Sequence, residues 1–155
     1  MIEKDLEACA VAAFNAALPG TVQTMGFWQS VAEGAVKDTE SASAPAMLRV
    51  ETSPRSHENF TTPRADVAFA LTLTVRKEVC PTGAELAEFA EPLFAVLTAW
   101  QMDIADVRRD FTISDFVPVG FRLDGGDVIN DVTAKTWVVR ESFTVRGIVK
   151  KGTAS

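Results

Sequence analysis

The chain holds a single histidine, His57, and only two cysteines, Cys9 and Cys80, among its 155 residues. Any histidine-based triad must therefore pass through His57. That residue lies in a polar, proline-containing stretch beside Ser53, Ser56 and Glu58, where a fixed catalytic geometry is hard to hold. No G-x-S-x-G turn supports it. One histidine and two cysteines are too few for a zinc site, and two cysteines make no disulfide framework. Cys9, among alanines, reads as a small buried hydrophobe, and Cys80, before Pro81, as a reduced thiol, with one Cys9–Cys80 pair left open by the spacing. Glycine-rich phosphate loops are missing as well, since neither G-x-G-x-x-G nor G-x-x-x-x-G-K-[ST] occurs. Basic residues number 15 against 21 acidic ones, for a net charge of −6, and they are dispersed. That excludes the basic footprint of a nucleic-acid binder, so no sequence-specific nucleic acid is expected. No stretch approaches the roughly 18 uninterrupted apolar residues of a membrane span. The opening MIEKDLEACAVAAFNAAL is acidic where a secretory signal is basic. The expectation is a soluble, cytoplasmic chain with no membrane partner.

What is present is patterning. With 47% apolar and 23% charged residues, the composition is that of an ordinary globular domain over residues 1–155. Odd positions from Val67 to Val75 (Val67, Phe69, Leu71, Leu73, Val75) are apolar, while the even ones are small or polar. Such strict alternation is a long strand with one buried face, drawn over Ala65–Val79. A first helix is expected from Ile2 to Leu18, its acids Glu3, Asp5 and Glu7 complementing the dipole and Pro19-Gly20 stopping it. Val22–Val36 is ambiguous between a short strand and a turn of helix. A short strand follows at Met47–Glu51. Thr82 and Glu85 match a capping box before a helix with an apolar stripe through Leu86, Phe89, Leu93, Phe94, Leu97 and Trp100. Pro92 should kink or split that helix. The segment after Trp100, with Asp103 and Asp106, reads as a helix end or turn. Alternation returns over Phe111–Leu123 and Trp137–Val149, joined by a tight turn at Asp124-Gly125-Gly126-Asp127. The polar stretches 37–45 and 52–64 read as flexible arms, and 151–155 as a short tail. The predicted fold is α+β: a mainly antiparallel sheet of about four strands with two main helices on one face.

Chemical sites are sparse. Asp124, Asp127, Asp131 and Asn130 cluster around two glycines, but the spacing does not fit an EF-hand and turn chemistry accounts for it. Glu85 and Glu88 sit on an exposed helix face. Aromatic residues at Phe27 and Trp28 suit either core or an intersubunit contact. No catalytic residue, metal or cofactor is expected, and the candidate interface residues are Trp28, His57, Phe60, Arg76, Arg140 and Arg146.

The order of these elements, a helical start, polar arms, the strand ADVAFALTLTVRKE, the capped helix TGAELAEFAEPLFAVLTAW and a terminal hairpin ending TWVVRESFTVRGIV, resembles small bacteriophage tail proteins. The closest kind is the tail terminator or tail-completion protein, related to minor tail and head–tail neck proteins. The resemblance implies a structural virion protein that forms a closed ring, commonly a hexamer. Such a ring caps the tail tube and meets the head connector, with no catalytic residue needed. Its partners would be further copies of itself, the tail tube protein and the head–tail connector, in the virion and, during assembly, the host cytoplasm. The polar sheet face with Arg76, Arg140 and Arg146 would then meet acidic positions on a neighbour. The alternative is a small enzyme or ligand-binding domain with a pocket between helix and sheet.

Overall fold

Why one face of the sheet is apolar is already set by β3 (Arg64–Arg76), whose odd positions are buried and whose even positions reach solvent. A computed structural model describes residues 2–28, 44–53 and 64–150. In it, β1 (Val22–Gly26), β2 (Ala46–Thr52), β3, β4 (Phe116–Asp131) and β5 (Thr136–Val149) form one sheet in the order β1-β2-β3-β5-β4. Only the β1–β2 pair is parallel. Helices α1 (Ile2–Ala17), α2 (Ala87–Met102) and α3 (Ile104–Phe111) lie on one face. The α+β class holds, with five strands and three helices where about four and two were expected.

The additional elements have local causes. β1 runs beside Ala46–Val50, five of the seven residues of β2, and it is covered by α1. α3 is a separate helix because the Asp103 side chain caps it, accepting from the Ala105 N–H at 3.0 Å. Phe111 therefore belongs to a helix end, and the following strand begins at Phe116, not Phe111. The expected turn at Asp124–Asp127 is also corrected. Those residues continue β4, paired with β5, and the hairpin turns at 132–135 instead. Gly125 adopts φ 113° beside a register shift, so the glycine serves a bulge within the strand. At α2 the Glu85 carboxylate accepts from the Thr82 N–H and hydroxyl, preceded by a 3₁₀ turn at Ala84–Leu86. α2 is not split at Pro92. The carbonyl that Pro92 leaves unpaired, that of Glu88, lies in the exposed first turn.

Between helices and sheet the core is aromatic. Trp100 of α2 touches Phe14 of α1, Phe111 of α3, Phe121 of β4 and Phe143 of β5, at ring separations of 5.5, 4.8, 5.9 and 5.5 Å. Phe69 and Phe143 face each other across β3 and β5 and stack at 4.7 Å. Trp100 is 1% exposed, and its indole N–H donates to Asp110 at 2.7 Å, satisfying the one polar atom of the ring. Cys80 is buried and Cys9 half-buried, both as free thiols. Burial pushes both thiols above their ordinary range.

Candidate functional site: the open sheet face

The second face of the sheet carries no covering element among the described residues. Its centre is small: Ala68, Ala70, Thr72 and Thr74 of β3. Around that trough stand charged pairs. Arg140 reaches Asp127 in a bidentate contact at 2.9 and 2.7 Å, directly across the β4–β5 ladder. Arg146 pairs with Asp66 at 3.1 Å and Arg76 with Glu78 at 2.8 Å. Arg122 binds Asp124, whose other oxygen accepts from Thr144 at 2.7 Å. The Arg140 contact holds the Asp127 carboxyl below its ordinary range. For Asp124 burial works the other way, but the bonds from Arg122 and Thr144 outweigh it and the shift is downward. These pairs are exposed, so they orient guanidinium groups more than they stabilise the fold.

Three of the expected interface residues, Arg76, Arg140 and Arg146, are thus brought to this one face, each already engaged with an acid of its own chain. His57 and Phe60 lie outside the described residues, as do 37–43, 54–63 and 151–155 of the expected arms and tail. Trp28 is elsewhere and is half-buried. Its backbone N–H donates to Glu7 at 2.7 Å and its indole N–H to Thr52 at 2.9 Å. The Thr52 hydroxyl also lies 3.3 Å from the Glu7 carboxylate and 3.4 Å from the Glu3 carbonyl. Glu7 is 2% exposed and packs over Gly26, where a Cβ would lie 2.6 Å from its Oε2. Glu3 and Glu7 are therefore turned into the protein, while Asp5 alone of the three acids faces solvent.

This node has a pH consequence. Burial raises the Glu7 carboxyl above its ordinary value of 4.5, against the lowering effect of the Trp28 and Thr52 bonds, with Glu51 adding repulsion. Below 4.5 the group is protonated whether folded or unfolded. As pH rises above that value the unfolded chain gives up the proton first, so stability falls, and the loss is complete above the raised folded value. Glu7→Gln keeps an acceptor for Trp28 and removes the charge. The difference in unfolding free energy between wild type and variant should shift in the variant's favour as pH rises above 4.5. A difference that stays flat from pH 4 to 8 in urea titrations would contradict a carboxylate whose burial outweighs its hydrogen bonds.

Two hollows lie outside the helix–sheet interior. One of about 590 Å³ opens on the open face, lined by Met47, Arg49, Thr72, Thr74, Arg76 and Lys135 among others. Another, of about 480 Å³, lies between α1, α2 and α3 and is lined largely by alanine. Among the described residues no group of three or more His, Cys, Asp or Glu side chains is placed to hold a metal ion. Asp124 and Asp127 are engaged by arginines, Asp131 accepts from the Ala134 N–H, and Asn130 from Lys77. No helix there is long and apolar enough to cross a membrane. Compared with known protein families and with curated proteins, the chain matches none.

Proposed function

We propose that the protein is a structural assembly protein of a tailed phage or prophage virion. It forms a homo-oligomeric ring, with a hexamer as the expected size, that terminates the tail tube and joins it to the head connector. The observation that carries this reading is the uncovered sheet face, with a trough of small residues bordered by oriented arginines. A face of that kind suits repeated protein contacts: it offers shape and fixed charge, and its guanidinium groups are pre-positioned by Asp66, Glu78 and Asp127. The resemblance of the sequence to tail terminator and tail-completion proteins in its order of elements supports it further. No bond is made or broken in such a role, and no cofactor is called for. The space between helices and sheet, where a ligand-binding domain would keep its pocket, is filled by Phe14, Phe69, Trp100, Phe111 and Phe143.

Size-exclusion chromatography with light scattering over a wide concentration range tests the proposal. A discrete ring-sized species, or its growth with concentration, is the expected result. A chain that remains monomeric throughout and retains a small metabolite through purification would overturn it.

A further inference from the structure

At one end of the open face the 590 Å³ hollow is basic, although the chain as a whole is acidic. Arg49 of β2, Arg76 of β3 and Lys135 of the hairpin turn border it, over a floor that includes the hydroxyl-bearing Thr72 and Thr74. Glu78 is the only acid in the lining, and its side chain is 73% exposed while paired with Arg76. Lys77 also borders the hollow, but its amine is turned away to Asn130 and the Trp137 ring. Lys135 adopts φ 58°, an uncommon conformation for a residue with a Cβ.

On the helix-covered face of the sheet lies the complementary feature. Glu85, Glu88 and Glu91 recur every third residue along the 3₁₀ turn and the start of α2, and the whole span Ala84–Met102 contains no basic residue. Glu88 and Glu91 are exposed, and no hydrogen bond or ion pair holds either of them among the described residues. Like charges at this spacing repel along a helix. The dipole rewards only the first turn, so Glu91 gains nothing from it.

We infer that the basic hollow of one copy receives the acidic ridge of α2 from the next copy, a contact that deepens the ring reading and rests on it. Hollow and ridge lie on opposite faces of one chain, so the contact is head-to-tail. Successive copies then close into a ring if the rotation between them divides a full turn, and run on as a filament if it does not. An incoming Glu88 or Glu91 carboxylate replaces solvent-exposed Glu78 at Arg76 and supplies Lys135 with a counter-charge. Being built on charge at a partly open surface, the contact weakens as salt shortens the screening length.

Charge reversal tests this directly. The hollow variant carries Arg76→Glu and Lys135→Glu; the ridge variant carries Glu88→Lys and Glu91→Lys. Each alone sets like charge against like, and each should run as a monomer in light scattering while melting close to wild type. Mixed in equal amounts, the two restore both pairings alternately, and the wild-type assembly should return. Electron microscopy of wild type and mixture reads closure. Variants that assemble as wild type does, or a mixture of monomeric variants that fails to recover, overturn the contact and leave the ring reading standing. Recovery as open filaments in wild type and mixture alike keeps the contact and overturns the ring. A wild type that never assembles overturns the contact, and one that also retains a small metabolite through purification overturns the ring reading with it.

Discussion

Replacing Trp100 with alanine should lower the unfolding free energy by about 3–5 kcal/mol, a large part of the roughly 5–15 kcal/mol that holds a domain of this kind together. The reason is position as much as size. Trp100 is the one ring that touches aromatic side chains from all three helices' layer and from β4 and β5, through Phe14, Phe111, Phe121 and Phe143. Its removal leaves a cavity whose walls belong to four different elements, so no single one can relax to fill it. Asp110 simultaneously loses its indole donor. Trp100→Phe keeps most of the apolar contact and deletes that bond, and should cost clearly less. Urea unfolding followed by circular dichroism reads both. A Trp100→Ala loss under about 1 kcal/mol, the size of an ordinary surface or mild core change, would mean that the layers do not depend on this residue.

Gly147→Ala is the second large effect, by overpacking where Trp100→Ala acts by emptying. A Cβ at Gly147 would lie 2.2 Å from Cζ of Phe116, far inside the 3.0 Å that real contacts respect. Phe116 is fully buried at the start of β4, with no solvent direction into which to turn. A cost of about 1–3 kcal/mol is expected. Combining it with Phe116→Leu should recover part of the loss, because the smaller side chain vacates the space that the new methyl group needs. The two substitutions must therefore be non-additive in a double-mutant cycle. Strict additivity would show that the ring and the glycine do not meet.

How much of this was readable beforehand depended on the range of the interaction involved. Alternation along β3 and β5 is a property of consecutive residues, and it placed Phe69, Leu71, Val139 and Phe143 on the buried side correctly. The Thr82–Glu85 contact spans three residues and was equally legible, although the residues that open the 3₁₀ turn and α2, Gly83 and Leu86, carry no side-chain cap. At Phe111 the same habit misled: the odd parity it shares with Phe121 and Leu123 holds only beyond the register shift at Pro118/Gly120, whereas the strand begins with the even positions Phe116 and Pro118 buried. Gly125-Gly126 carried a turn signature, yet cross-strand partners Ser142 and Glu141 hold the segment in β4, a competing preference that local composition does not contain. The Glu7–Trp28–Thr52 node was not legible at all. Its members are separated by more than twenty residues, and acids near a helix start are more economically read as dipole partners. As for the open face, the grouping of Arg76, Arg140 and Arg146 followed from strand parity, but their pairing with Asp66, Glu78 and Asp127 required the register.

The strand order has a kinetic corollary. β5 follows the other four strands in sequence, yet it lies between β3 and β4 and is the only one of the five that pairs with both. During synthesis, at about 5–20 residues per second, β3, paired only with β2, and β4, with no strand partner, must therefore wait as separate ribbons until residues 136–149 emerge to act as the keystone. Ribbons in that condition invite the wrong neighbours, and a polysome making many copies at once supplies them close by.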